Sequence, residues 1–304
     1  MTHLVGFPGL GLEFTLNRVA FTVFGHPVYW YGIIIALGVL LAVGVCYRLA
    51  PRFGIVPDSL IDMILFAVPL AIVGARLYYI IFYLDLFRDA QGKLDFAAMV
   101  RIWDGGLAIY GGIIAGVVTV FVFCRVRRVK FTAYADIGAI GLLIGQAVGR
   151  WGNFVNVEAY GCETDLPWRM RVYGLRDLAS GLGYQDVHPT FLYESLWNLV
   201  GLAVVLVIAK RWRRFDGQIF LTYVLWYGVG RTWIEGLRSD SLYLFGLKLF
   251  GVPIRTSQLL AAVSALAALG LLLYHLRIKK HSPGELYVNQ IKQMEACEDD
   301  NSGR

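Results

Sequence analysis

Residues 134–158, Y-A-D-I-G-A-I-G-L-L-I-G-Q-A-V-G-R-W-G-N-F-V-N-V-E, decide the fold class. The first part, 134–150, is apolar over roughly 17 residues, enough for a helix to cross a hydrocarbon core. It ends on Arg150, and Asn153, Asn156 and Glu158 follow at once. Arg76 and Arg231 sit in similar apolar surroundings. An arginine within a membrane helix costs about 2.5–3.5 kcal/mol on insertion scales, so a recurring pattern of them marks a site for an anion.

The rest of the chain fits this reading. It is 304 residues long, 57% hydrophobic and 16% charged, with 34 glycines, a balance foreign to a soluble domain of this size. Apolar runs at 29–49, 59–83, 107–124, 134–150, 192–209, 218–236 and 257–276 predict an all-α integral membrane protein of about seven transmembrane helices. Basic residues gather in alternate connections: Arg48 and Arg52; Arg125, Arg127, Arg128 and Lys130; Lys210, Arg211, Arg213 and Arg214; Arg277, Lys279 and Lys280. Those connections are expected in the cytoplasm, which puts the N-terminus outside and the C-terminus inside. This topology also accounts for much of the formal charge of +6 without a nucleic-acid partner.

Two connections on the outer side are long, 84–106 and 151–191. The first contains F-A-A-M-V-R-I-W, whose Phe96, Met99, Val100 and Trp103 recur as on a short helix lying in the membrane interface. The second mixes Gly, Pro, Asp and Arg and is expected to form a small outer head. Residues 1–28 read as an interfacial lead-in without the charged start and clean apolar core of a signal peptide. A membrane-embedded domain is therefore expected over 1–281, with a polar, disordered tail at 282–304. Gly141, Gly145 and Gly149, and likewise Gly112 and Gly116, lie four apart and predict close helix approach. Cys46, Cys124, Cys162 and Cys297 have neither metal-ligand spacing nor an obvious pairing, and His26 and His275 read as interfacial or terminal residues. No internal repeat of the transporter kind is expected.

Depth along each helix turns the polar residues into a place. At about 1.5 Å per residue, Arg150 lies roughly 24 Å along the fourth run and Arg231 roughly 20 Å along the sixth, both toward the outer side. Arg76, Tyr31, Tyr110 and Gln258 fall at similar heights, and His188, Glu194 and Asn198 flank the start of the fifth run. Gln146 is one turn before Arg150, Tyr227 one turn before Arg231, and Glu235 one turn after it. Arginines at headgroup depth suit a phospholipid phosphate, which guanidinium grips with two parallel hydrogen bonds.

The ordered motifs resemble the prolipoprotein diacylglyceryl transferases of bacterial membranes. They are W-Y-G at Trp30–Gly32, G-A-R-L at Gly74–Leu77, Y-G-G at Tyr110–Gly112, G-R-W-G-N-F-V-N-V-E at Gly149–Glu158, H-P-T-F-L-Y-E at His188–Glu194, and Y-G-V-G-R-T-W-I-E at Tyr227–Glu235. The resemblance implies a seven-helix fold with an outer head in the bacterial cell membrane. It implies transfer of an sn-1,2-diacylglyceryl group from phosphatidylglycerol to the lipobox cysteine of a preprolipoprotein signal peptide, releasing glycerol 1-phosphate. Its partners would be these substrates and the surrounding membrane lipids, with no cofactor and no metal. Carried onto this chain, Arg150 and Arg231 would hold the phosphate, Asn153, Asn156, Glu158 and Gly161 would shape the mouth, Tyr31 and Tyr227 would line the cavity, and Glu235 and Arg238 would support them. Many members read H-G-G where this chain has Tyr110-Gly111-Gly112. A phenol, with an ordinary pKa near 10, is expected at 110 to position the headgroup and not to abstract a proton. A transporter or flippase would bind substrate near the midplane and often show internal symmetry, and a scaffolding anchor would leave the buried cations unexplained.

Overall fold

The computed structural model describes residues 2–88, 92–174, 183–238, 243–249 and 252–302. Parts of both long connections, at 89–91 and 175–182, lie outside the described residues. The chain divides into two compact units, one of Met1–Cys46 with Asp136–Leu286, the other of Tyr47–Ala135 with Tyr287–Arg304.

The first unit begins with strands, which the expectation of an all-α chain missed: β1 (Thr2–Phe7), β2 (Leu12–Asn17), and a separate hairpin of β3 (Val19–Val23) and β4 (His26–Tyr29). β1 pairs with the distant β5 (Met170–Tyr173), Val5 opposite Val172, and β5 pairs with β6 (Tyr184–Val187), giving an antiparallel sheet ordered β2-β1-β5-β6. β1 and β2 therefore share a sheet with β5 and β6 of the 151–191 connection, where a small head and no strands were expected. In β5, Met170 and Val172 are buried while Arg171 and Tyr173 point away, the two-residue period of a one-sided sheet. The inward side chains join Val5, Phe7, Val187 and Phe191 in one core, and the Phe154 and Phe191 rings stack at 4.6 Å to seat this sheet on two helix ends.

Those helices are α5 (Phe131–Asn156) and α6 (Thr190–Arg211). Around them the unit holds α1 (Trp30–Leu49), α7 (Gln218–Leu237), the hairpin of β7 (Tyr243–Leu249) and β8 (Val252–Arg255), and α8 (Thr256–Leu273). The small-residue face of α5 meets α1 as its spacing predicts: a methyl on Gly141 would come within 3.2 Å of Cys46 Sγ, and one on Gly149 within 3.2 Å of Ile35. Fully buried Asp136, near the start of α5, accepts hydrogen bonds from the Gly217 and Phe220 amides at 2.8 and 2.9 Å. It thereby caps the N-terminus of α7 from another helix.

A reciprocal clasp joins α6 to α7. Trp197 Nε1 donates to the Trp226 carbonyl at 3.0 Å, Trp226 Nε1 donates to the Trp197 carbonyl at 2.9 Å, and the indoles stack at 4.6 Å. Each ring lies against a glycine of the other helix, Trp197 on Gly230 and Trp226 on Gly201.

In the second unit α2 (Pro57–Phe82) packs on α4 (Ile109–Arg127). The expected interfacial segment contains a short helix, α3 (Phe96–Val100), capped by the Asp95 carboxylate, which accepts from the Ala98 amide at 2.9 Å. Where a disordered tail is expected, the structure has α9 (Tyr287–Ser302), whose Val288 backbone lies against Gly54 beside the turn Ala50–Phe53.

Six helical segments of the described residues are long and apolar enough to cross a membrane: Trp30–Phe53, Pro57–Phe82, Ile109–Arg127, Phe131–Asn156, Thr190–Arg211 and Thr256–Ile278. The seventh expected run, at 218–236, is helical as α7 and has the length, but it is too polar to stand with the other six. Among its residues are Gln218, Arg231 and Glu235.

Candidate active site: a shared carboxylate among three arginines

Arg150 sits on the last turns of α5, Glu194 on the first turns of α6, Arg231 and Glu235 on the final turns of α7, and Arg238 just beyond α7. The structure brings all five together. Arg150 Nη2 bonds Glu194 Oε2, Arg231 Nη1 lies 3.4 Å from Glu194 Oε1, and Arg238 Nη1 lies 3.7 Å from the same oxygen. Arg231 Nη2 also lies 2.5 Å from Glu235 Oε2, the one-turn ion pair that the spacing predicts. Three cations against two carboxylates leave the cluster a formal charge of +1. With Glu194 only 6% exposed, little water screens that charge.

The cluster is supported from several sides. Ser195 Oγ donates to the Ala147 carbonyl at 2.9 Å, tying the start of α6 to α5. Arg255 donates to the Glu235 carbonyl, and Gln258 Nε2 donates to the Thr232 carbonyl at 2.8 Å. Gln146, one turn before Arg150, donates to the Tyr223 hydroxyl at 2.9 Å.

Beyond Arg150 the chain leaves α5 through a tight turn. Val157 and Ala159 both take left-handed backbone conformations, φ 52° and 58°, which cost an L-residue roughly 1–2 kcal/mol each. For a β-branched valine this is an outlier of the kind that clusters at functional sites. Its effect is to hold exposed Glu158 over the end of the helix, where Oε1 accepts from Asn153 Nδ2 at 3.1 Å and Asn156 Nδ2 at 3.4 Å. Gly161 then threads between α6 and α7: its amide donates to the His188 carbonyl at 2.9 Å, and it bridges to Arg238 in strand fashion. A methyl there would fall 2.6 Å from His188 Cβ and 3.0 Å from the Leu237 carbonyl, so only glycine lets the mouth close onto Arg238. Burial holds the pKa of the His188 imidazole below its ordinary value, so the ring stays neutral near pH 7.

Tyr31 lies flat against Gly152, two residues from Arg150, and Tyr227 stacks on Tyr223 at 5.8 Å. Beside the cluster, α1, α5 and α6 border an open apolar cleft of about 270 Å³, lined by Ile34, Leu37, Val148, Trp151 and Leu199. A cationic cluster next to an apolar cleft can hold a phosphate whose attached chains are hydrocarbon.

Arg76 and Tyr110 belong to the second unit. Arg76 is buried, and its guanidinium donates to five carbonyls, those of Ala98, Met99, Arg101, Gly105 and Gly106, at 2.6–3.0 Å. That occupies its donors with the end of α3 and the loop after it. Tyr110 is the second residue of α4 and is exposed.

Sequence reasoning gave no role to Glu194, the hub of the cluster, nor to Asn198 one turn further along α6. A carboxylate within an apolar run is the same signal that singled out the arginines. Its partners, however, lie on other helices, where residue spacing does not reach.

The family profile described as "Prolipoprotein diacylglyceryl transferase" matches residues 18–274. Three similar relatives bear the name phosphatidylglycerol–prolipoprotein diacylglyceryl transferase. That of Finegoldia magna is 44% identical over 233 residues, 77% of this chain and 88% of the relative. That of Lysinibacillus sphaericus is 40% identical over 273 residues, 87% and 93% of the two chains. That of Bacillus cereus (strain Q1) is 45% identical over 244 residues, 79% and 87%. A match of this extent, running through the whole arginine cluster and its mouth, makes the chain a member of the prolipoprotein diacylglyceryl transferase family.

Proposed function

We infer that this protein is a multi-pass membrane enzyme that transfers the sn-1,2-diacylglyceryl group of phosphatidylglycerol to the cysteine thiol of a preprolipoprotein. The observation that carries the reading is the +1 cluster of Arg150, Arg231, Arg238, Glu194 and Glu235 beside the apolar cleft, a cationic seat with a hydrocarbon annex. The lipid phosphate sits on Arg150 and Arg231 in place of one Glu194 contact, and an acyl chain enters the cleft.

The chemistry asks for a thiolate and a stabilised leaving group. The sulfur attacks the glyceryl carbon attached to the phosphate oxygen, a carbon–sulfur bond forms, and the carbon–oxygen pair departs with glycerol 1-phosphate. The thiol proton is lost to solvent or to the released phosphate. A thiol with pKa about 8.5 is a few per cent ionised at pH 7, and a cationic site raises that fraction without a dedicated base. Arg150 and Arg231 also face the charge that grows on the departing phosphate. Asn153, Asn156, Glu158 and Gly161 form the mouth through which the lipobox peptide reaches the site, Tyr31 and Tyr227 line the lipid path, and Tyr110 donates to the headgroup. Arg76 acts through the loop it holds, and no cofactor is required.

The same reading makes α7 a seventh span, tolerated in lipid because its polar face meets Glu194 and not hydrocarbon. It places the four-stranded sheet outside, the C-terminus in the cytoplasm, and the whole in the bacterial cytoplasmic membrane. Incubation of the purified protein with phosphatidylglycerol and a lipobox peptide, followed by mass spectrometry, tests the activity. The peptide gains one diacylglyceryl group, and a peptide with serine for cysteine gains none. An unmodified cysteine peptide, with the protein folded, would refute the reading. Labelling of a cysteine placed at 125–131 by an impermeant reagent in intact cells would reverse the orientation.

A further inference from the structure

The tryptophan clasp has a counterpart in the sequence. Residues 191–201 of α6 read F-L-Y-E-S-L-W-N-L-V-G, and residues 220–230 of α7 read F-L-T-Y-V-L-W-Y-G-V-G. Phe, Leu, Leu, Trp, Val and Gly recur in register, in both cases with Trp four residues before Gly. The helices run antiparallel, since Trp197 meets Gly230, Trp226 meets Gly201 and Glu194 meets Arg231. The two segments are therefore related by a local two-fold axis through the clasp, as in the self-complementary interface of a symmetric dimer.

Symmetry makes the residues after each tryptophan equivalent, and these are Asn198 and Tyr227. Both line a small cavity of about 10 Å³ together with Glu194, Arg231, Trp197 and Ile234. That volume admits one oxygen atom. Asn198 is 3% exposed, and among the described residues neither its amide nor the Tyr227 hydroxyl has a hydrogen-bond partner. Both side chains border the cavity, and their polar atoms can take a partner from a molecule that enters it. The amide offers two donors and an acceptor, and the phenol offers one of each. A neutral oxygen carrying a proton satisfies both. An ammonium group would face Arg231 on the cavity wall and be repelled.

Resting on the transferase reading above, we propose that Asn198 and Tyr227 form a one-oxygen subsite for a hydroxyl of the lipid's glycerol headgroup. Water fills it when the lipid is absent. Its walls lie beside Glu194 and Arg231, so a headgroup whose phosphate sits on the arginines has its hydroxyls within reach of the subsite. Asn198 is then a specificity residue that separates a glycerol headgroup from one without hydroxyls.

Transfer rates to a lipobox peptide from phosphatidylglycerol and from phosphatidylpropanol, whose headgroup has no hydroxyl, test this in the purified full-length enzyme. A site built to bond a hydroxyl rejects the analogue that lacks it. The parent enzyme should prefer phosphatidylglycerol by about 10-fold or more in kcat/KM, in line with one or two buried hydrogen bonds. Asn198→Leu, of similar volume, should bring that ratio to within about twofold of unity, chiefly by slowing phosphatidylglycerol. Tyr227→Phe keeps the ring and its stack on Tyr223 and should narrow the ratio as well, which guards against misfolding of the Asn198 variant. Equal slowing with both lipids in both variants would mean a buried water only and would overturn the subsite, as would a parent enzyme indifferent to the two lipids. Absence of transfer from either lipid by the folded parent would sink the transferase reading and the subsite with it.

Discussion

Glu194→Gln removes the charge on which three arginines converge while keeping the shape of the side chain. Breaking a buried ion pair by neutralising one partner costs about 3–5 kcal/mol. Glu194 is 6% exposed and its partners Arg150, Arg231 and Arg238 are 19%, 17% and 12% exposed, so water can relieve the cations but hardly the carboxylate. Arg231 retains Glu235, and glutamine retains one acceptor oxygen, which puts the loss at the lower end, about 3 kcal/mol. At roughly 2–4 °C per kcal/mol, the melting temperature should fall by about 6–12 °C. Tryptophan fluorescence in detergent follows this directly, since the chain has 8 tryptophans. Activity should fall by about 10- to 100-fold, because the arginines lose their common tether and misplacement by about 1 Å carries a penalty of that order. A melting temperature within about 2 °C of the parent, with a rate within about twofold, would show that Glu194 is not the hub of the cluster.

Arg150→Ala and Arg231→Ala should each slow transfer by on the order of 100-fold or more with the protein still folded. Arg127→Ala, which removes an exposed pair with Asp62, should cost about 1 kcal/mol at most and leave the rate near the parent; equal damage from all three would point to membrane insertion instead. Gly230→Ala would put a methyl 2.1 Å from Trp197 Nε1 and should destabilise by about 1–3 kcal/mol, whereas Gly116→Ala, 3.8 Å from its nearest neighbour, should be neutral or stabilising; the order of their melting temperatures decides the point. The Arg171 and Arg169 hydrogen bonds to Asp186 hold its carboxyl pKa below the ordinary value. The stability this gives β5–β6 is complete above the unfolded value of about 3.9 and is lost as pH falls through the lower folded value; hydrogen exchange of these strands should show an acid limb that Asp186→Asn lacks. Tyr110→Phe should reduce transfer and Tyr110→His retain much of it, if the role is to donate a hydrogen bond; a parent-like rate for Tyr110→Phe would take the residue out of the site.

The arginines were legible because a cation in an apolar run is conspicuous without knowledge of its neighbours. Glu235 was legible because its partner Arg231 lies one turn away on the same helix. Glu194 and Asn198 stood in view at the start of a span, but their meaning depends on contacts between α5, α6 and α7 that no linear spacing encodes. The N-terminal strand was hidden for a related reason: β1 is short, and one of its two partners, β5, lies some 165 residues further on. The two-fold relation of α6 and α7 spans too few residues to register as a repeat, and it becomes visible only once the two indoles are seen to exchange hydrogen bonds. Of the seven expected runs, α7 is the one that falls outside the six apolar spans, and it carries Arg231 and Glu235.

Arg76 fixes its loop wholly through main-chain oxygens, with Gly105 and Gly106 turned at φ 88° and 75° to present theirs. Such a loop takes much of its shape from a residue some twenty to thirty positions away on α2. Replacing Met99 or Ile102 should therefore leave the path of the chain intact, whereas loss of Arg76 would release five carbonyls at once. Arg76 and the two glycines are the fixed grammar, and a graft that moved the loop without them would lose its conformation.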